Sequence, residues 1–205
     1  MAVSIATALI GAMIFGAAAT CGIVAAKALL PSLHRFDDAP PAVDFPPIAL
    51  ICGAIVIGAV MGARTPPMDL LVITVIAIVG LTAIWYCDAK TGLIPDVFTL
   101  VPLGIVVIYA SIKQEWIVLI SAVAMFLPFA VLALISRGRG MGWGDAKLAA
   151  LGGALLGVST ATVAFVLASL VAALAAWLKY RTGRAPIAMG PYLVAAIAAS
   201  LPFNF

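Results

Sequence analysis

The sequence predicts an all-α, polytopic membrane protein: a single helical bundle over residues 1–205 with about eight transmembrane helices. Three observations predict this class. Apolar residues make up 65% of the chain, only 9% are charged, and the mean hydropathy is +1.26. Soluble domains are about 45–50% apolar and about 25% charged. The composition therefore excludes a soluble enzyme with a polar surface, a disordered tail and a nucleic-acid-binding protein.

Apolar runs separated by short polar breaks define the predicted spans, since one crossing needs about 20 apolar residues. Prolines and charged residues mark most of the breaks, as expected at helix ends. In chain order, the runs are Val3–Leu30, Ile48–Ala63, Met68–Cys87, Val97–Ile112, Trp116–Ile135, Leu148–Leu178 and Ile187–Phe203.

The run Leu148–Leu178 is too long for one simple span. It fits either one tilted helix or two helices broken near Gly157–Thr160, and the basic residues decide between these alternatives. With two helices, nine of the eleven Lys and Arg residues share one side of the membrane and only Arg64 and Lys113 lie on the other. The positive-inside rule then predicts eight spans, with both termini outside the cytoplasm. The nine are Lys27, Arg35, Lys90, Arg137, Arg139, Lys147, Lys179, Arg181 and Arg184.

Glycines and cysteines are interpreted as structural. The pairs Gly58/Gly62 and Gly153/Gly157 have the four-residue spacing that allows close helix packing in lipid. The three cysteines lie far apart without paired spacing. We therefore expect neither a disulfide framework nor a zinc site. We also expect no other metal and no cofactor.

Two acidic residues are the candidate catalytic groups. Asp88 follows the third apolar run and Asp145 precedes the sixth, so the predicted topology places both at the cytoplasmic membrane face. Two carboxyl groups sharing a poorly solvated cavity can hold one proton between them, as in aspartic proteases. Such a pair activates a water while polarising a peptide carbonyl. Gly142 and Gly144 would let a substrate backbone approach. The structural alternative for Asp145 is capping of a helix N-terminus.

The other ionisable residues receive mostly structural assignments. Asp96 and Asp69 are predicted to cap the fourth and third spans, with a catalytic role as the alternative for Asp96. Lys147 and Lys90 are predicted to determine topology, although either could lower the pKa of a nearby aspartate. No role is assigned to His34. The remaining acidic residues of the first connection form either a solvated loop or a surface that attracts a basic substrate segment; they are Asp37, Asp38 and Asp44.

Three motifs resemble those of the type IV prepilin peptidase family. Met141–Leu148 is similar to its Gly-x-Gly-Asp signature. Asp88 together with Ile94–Asp96 resembles the family segment in which an aspartate shortly precedes Ile/Leu-Pro-Asp. Pro186–Leu193 resembles the closing Gly-Pro element of the family. The resemblance spans about Ile48 to Phe203. It implies a membrane aspartic endopeptidase that cuts the short basic leader from prepilins and pseudopilins after a glycine, with Asp88 and Asp145 as its catalytic pair and Asp96 at a recurrent family position.

The resemblance also implies a multi-pass location in the bacterial inner membrane, with the active site facing the cytoplasm. The implied partners are prepilin-like substrates and the lipid bilayer, not nucleic acid, and both monomer and homo-oligomer remain open.

Full-length members carry two Cys-x-x-Cys pairs between their first two helices and also methylate the new N-terminus. Here that stretch is Pro31–Pro47 without cysteine, so we expect cleavage without methyl transfer and without zinc.

Two other functions stay open at this stage. Acids within a helical bundle can carry protons or ions in a transporter or assembly protein, but transport sites favour the bilayer midplane and broken helices. A related Gly-x-Gly-Asp protease that cuts within substrate helices is the third alternative. The positions of Asp88 and Asp145 at span ends favour the leader peptidase.

Overall fold

The computed structural model describes residues 2–33, 46–136, 141–180 and 188–203, and this part of the chain is helical with short connections. Six helices are long and apolar enough to cross a membrane, and a shorter apolar one follows them. Two 3₁₀ turns, Leu30–Ser32 and Leu201–Phe203, follow the first and last helices. The α-helices are α1 (Ala2–Leu29), α2 (Pro47–Arg64), α3 (Met68–Thr91), α4 (Asp96–Lys113), α5 (Trp116–Ile135), α6 (Trp143–Tyr180) and α7 (Gly190–Ser200).

Local sequence explains where the central helices end and begin. Gly92 ends α3 in the left-handed conformation, with φ of 70°, and its N–H donates to the carbonyl oxygen of Asp88 at 2.9 Å. Glycine adopts this conformation without steric cost. Pro95, in an extended conformation, precedes α4. A short connection, residues 92–95, therefore joins α3 to α4.

Small residues allow α1 and α2 to pack closely, as predicted for Gly58 and Gly62. A β-carbon on Gly58 would overlap the Gly11 carbonyl oxygen and the Phe15 side chain, and one on Gly62 would overlap the backbone of Thr7. Close backbone approach of this kind is how helices associate in lipid. The packing interpretation of this glycine pair is confirmed.

Helix α6 reverses direction at Gly157, where the backbone has φ of 72° and ψ of 166°. In a straight helix Gly152 and Phe165 would lie about 20 Å apart, yet a β-carbon on Gly152 would overlap the ring of Phe165. Met125 of α5 likewise meets both arms: its side chain limits the space at Gly153, and its sulfur lies 3.5 Å from the Thr162 hydroxyl. The two arms, residues 143–156 and 158–180, form a helical hairpin, and the predicted break near Gly157–Thr160 is confirmed.

The second arm of α6 runs parallel to α5. Contacts move from Met125 with Thr162 to Phe129 with Phe165, whose rings meet edge to face with centroids 5.6 Å apart. The arm therefore returns toward the end of the bundle at which α6 begins. Gly157 has nothing within 4 Å of an added β-carbon, so its role is the reversal and the predicted packing role is wrong for this residue.

Several helices extend beyond their predicted limits. Helix α3 continues to Thr91, past the predicted end at Cys87, which places Asp88 inside its last turn. Helix α6 begins at Trp143, five residues before the predicted start at Leu148. Asp88 is buried in the last turn of α3, where Gly190 at the start of α7 lies against it. The final helix begins at Gly190, whereas Ile187, the predicted start, lies outside the described residues.

Helix α7 connects the two ends of the bundle. Gly190 at its start lies against Asp88 at the end of α3. After α7, the carbonyl oxygen of Pro202 accepts a hydrogen bond from the Arg64 guanidinium at the end of α2. The same guanidinium lies 5.4 Å from the centre of the Phe203 ring. The chain segment from Gly190 to Phe203 thus reaches from the Asp88 end to the Arg64 end.

Candidate active site

Asp88 is a buried carboxyl group in the last turn of α3. Its side chain is 5% exposed, and its Oδ2 atom has no hydrogen-bond partner among the described residues. The backbone N–H of Gly190 approaches the carboxyl group and interacts favourably with its charge. A buried polar atom without a partner is costly and calls for a functional or structural reason.

Asp145 occupies the third position of α6. Its Oδ2 atom accepts a hydrogen bond from the Gly142 N–H at 3.1 Å, and its own N–H donates to the Gly142 carbonyl oxygen at 3.2 Å. This reach of a third-position carboxylate back to the start of the helix is half of a capping box. The structural alternative for Asp145 is therefore realised through one carboxyl oxygen.

The fold brings Asp88 and Asp145 to one place, although 57 positions separate them. Both acids border the side chain of Ile94, Asp145 through Gly144 and Asp88 through Gly190. The end of α3, the start of α6 and the start of α7 enclose them. Among the described residues this is a convergence of two partly or fully buried acids at helix ends, as the sequence predicted.

Ile94 forms a wall shared by the surroundings of both acids. A β-carbon on Gly144 would lie 2.8 Å from the Ile94 β-carbon, and one on Gly190 would lie 3.2 Å from its Cδ1 atom. The side chain therefore fits between two glycines, one adjacent in sequence to Asp145 and one in contact with Asp88. Gly144 has a packing reason that sequence analysis missed, whereas a β-carbon on Gly142 would meet only ordinary contacts.

Asp96 and Lys147 form an ion pair beside the acids, with 2.6 Å between Nζ and Oδ1. The prediction that Asp96 caps α4 is wrong: Pro95 holds that position, no side-chain cap bond is present, and Asp96 is the first helical residue. From there its carboxylate reaches the neighbouring helix while still complementing the helix dipole. Lys147 thus links the start of α6 to the start of α4.

Asp69 lies away from this site, at the opposite end of α3. Pro67 holds the cap position and Asp69 is the second residue of α3. Its Oδ1 atom nevertheless accepts a hydrogen bond from the Leu70 N–H at 3.0 Å. Its Oδ2 atom accepts a hydrogen bond from the Tyr109 hydroxyl at 2.7 Å and lies 3.4 Å from the Lys113 ammonium. These contacts join the start of α3 to the end of α4.

The other ionisable residues considered from the sequence lie in α3 or outside the described residues. Lys90 lies in the last turn of α3, two residues after Asp88. His34, Asp37, Asp38 and Asp44 lie outside the described residues. Within the described ranges no group of three or more His, Cys, Asp or Glu side chains is arranged to hold a metal ion.

Comparisons with known proteins identify the family of the chain. The model of the type IV leader peptidase family matches residues 75–177, a stretch that contains both acids. The chain belongs to this family.

A curated relative supports the family assignment. The chain is 31% identical over 128 residues to a prepilin leader peptidase/N-methyltransferase of Stutzerimonas stutzeri; the match covers 57% of this chain and 44% of that protein. The chain thus spans less than half the length of this relative. No solved structure matches.

Ile94 and Gly190 are the site residues for which sequence analysis had no role. Both lie in segments that the motif resemblance included, Ile94–Asp96 and Pro186–Leu193. Their contacts with the acids depend on how α3, α6 and α7 pack, which no local pattern in the sequence encodes.

Proposed function

We propose that the chain is a membrane aspartic endopeptidase that removes the short basic leader from prepilin-like proteins. The observation that carries the proposal is that Asp88 and Asp145 meet around Ile94 at one end of the bundle, and both lie within the segment that matches the family. Membership of the type IV leader peptidase family supports prepilins or pseudopilins as the substrate class.

The proposed chemistry uses both carboxyl groups on one water. One carboxylate takes a proton from the water, and the other, protonated, donates to the oxygen of the scissile carbonyl. The resulting gem-diol breaks the C–N bond as the amine leaves with a proton. The acid and base roles belong to the pair rather than to either residue. In this scheme Oδ1 of Asp145 contacts the water, while Oδ2 accepts a hydrogen bond from the Gly142 N–H.

The proposed location of the site is the cytoplasmic face of a membrane crossed eight times. The reversal at Gly157 and the reach of α7 from Asp88 to the Arg64 end support counting the two arms of α6 and α7 as three crossings. The basic residues then favour a cytoplasmic position for the acids. A substrate helix lying in the bilayer would present its leader junction at this face.

The position of the acids also argues against proton or ion transport. Asp88 lies four residues before Gly92, which ends α3, and Asp145 is the third residue of α6. Transport acids favour the middle of the bilayer. Both carboxyl groups are instead close to helix ends, where a peptide bond outside the apolar core can be reached.

Cleavage without methyl transfer is part of the proposal, because the stretch Pro31–Pro47 has no cysteine. The test for both activities is one experiment. The purified protein in detergent is mixed with a prepilin and S-adenosylmethionine carrying a labelled methyl group. Loss of the leader mass without label in the product supports the proposal. An intact prepilin refutes the peptidase, and label in the new N-terminus refutes the absence of methyl transfer.

A further inference from the structure

The closing Gly-Pro element of the sequence lies against the acid pair. Gly190 is the first residue of α7 and is buried, with Pro191 in the next position. Proline suits the first turn of a helix because its missing N–H needs no partner there. The backbone N–H of Gly190 approaches the carboxyl group of Asp88.

The space for this approach exists only because residue 190 has no side chain. An added β-carbon would lie 2.6 Å from Oδ2 of Asp88 and 3.0 Å from its Cγ atom. Both distances are well inside van der Waals contact. Oδ2 is also the buried oxygen without a hydrogen-bond partner among the described residues. Gly190 therefore contacts the part of Asp88 that the rest of the described chain leaves unsatisfied.

The neighbouring residue Ile94 restricts how this contact could relax. The same β-carbon would lie 3.2 Å from Cδ1 of Ile94, so α7 cannot shift toward that side without moving a second side chain. A methyl group at position 190 would instead displace the Asp88 carboxyl group relative to Asp145. Displacement of a reacting group by about 1 Å costs about 100-fold in rate.

We propose that Gly190 is a positioning residue of the acid pair, whose missing side chain lets the first turn of α7 hold the Asp88 carboxyl group in place beside Asp145. The inference rests on the proposed peptidase function and extends it to a third segment of the chain. It assigns the Gly-Pro element to orientation of Asp88 rather than to binding of substrate.

The kinetic test compares Gly190→Ala with Gly104→Ala in leader removal from a prepilin. Gly104 lies in α4, and an alanine there meets nothing within 4 Å, so it controls for the change of glycine to alanine in a helix. We expect Gly190→Ala to lower kcat about 100-fold with KM unchanged, and Gly104→Ala to keep both. Unchanged kcat in Gly190→Ala, or a change confined to KM, would overturn the inference even if the wild-type protein is an active peptidase.

A stability test works without any activity. Asp88→Ala removes the two atoms that an alanine at 190 would overlap, so the two substitutions should be coupled. We expect Gly190→Ala to lower Tm in the wild-type background and to lower it by less than half as much in the Asp88→Ala background. If Gly190→Ala alone yields no folded protein, recovery of folded protein in the double variant is the supporting result. Equal losses in both backgrounds, or failure of both to fold, contradicts the contact.

Discussion

Lys147 and Asp96 are joined across the start of two helices, with 2.6 Å between the ammonium nitrogen and Oδ1 of the carboxylate. Lys147 follows Asp145 by two residues, and Asp96 follows Ile94 by two. The ion pair therefore ties the helix that carries one acid to the connection whose Ile94 side chain borders the other. It lies beside the acid pair without being part of it.

We predict that leader removal tolerates an exchange of these two charges between the residues but is slowed when either charge alone is removed. Asp96→Asn and Lys147→Met should each cost at most about 1 kcal/mol of stability, because partly exposed ion pairs contribute little. Both should slow leader removal, since the connection holding Ile94 loses its tether. The exchanged variant, Asp96→Lys with Lys147→Asp, should recover most of the rate in the same cleavage assay. Equal rates in the single variants and the wild type would contradict this role.

Gly157 is predicted to be sensitive to substitution because of its backbone conformation rather than its packing. Its φ of 72° and ψ of 166° lie in a region that residues with a side chain adopt at a cost of about 1–3 kcal/mol. Gly157→Ala should therefore lower the free energy of unfolding in detergent by that amount. Gly104→Ala is the matched control: it lies inside a helix with open space around it and should gain about 0.5–1 kcal/mol. Similar values for the two variants would be inconsistent with the reversal.

The proposed eight-crossing topology predicts which connections share a side of the membrane. In a variant with Cys21, Cys52 and Cys87 replaced, single cysteines at Ser136 and Thr182 should be protected from a membrane-impermeant thiol reagent added outside the cell. Cysteines at Gln114 and Ser159 should react.

The cysteine at Thr182 distinguishes whether α6 crosses the membrane once or twice. A single crossing would put positions 136 and 182 on opposite sides, so labelling of Thr182→Cys from outside would show that α6 does not return. Labelling after permeabilisation provides the control that each cysteine is reactive.

The sequence predicted the class of fold because apolar length and charge act locally. A run of about 20 apolar residues has the length that crosses a bilayer. The break in Leu148–Leu178 could be predicted from the unequal distribution of Lys and Arg between the two sides. The limits of helices were less accurate. Asp88 lies inside α3 rather than after it, because packing against α7 and the 92–95 connection extends the helix through four further residues.

The two acids were predictable and their neighbours were not. Asp88 and Asp145 stand out as charges beside apolar runs, which are costly without a reason. Asp96 and Asp69 stand out in the same way and were assigned as caps, yet both make contacts with other helices, with Lys147 and Tyr109. Tertiary partners of this kind depend on the relative rotation of helices, which hydropathy does not specify.

The most direct test of the central claim is leader removal by Asp88→Asn and Asp145→Asn, followed by mass spectrometry of a co-expressed prepilin. Asp69→Asn, which changes an acid at the other end of α3, is the matched control, and membrane levels of all variants are compared. We predict that each of the first two substitutions lowers cleavage at least about 1,000-fold, while Asp69→Asn cleaves at nearly the wild-type rate. Substantial processing by either Asp88→Asn or Asp145→Asn would contradict it.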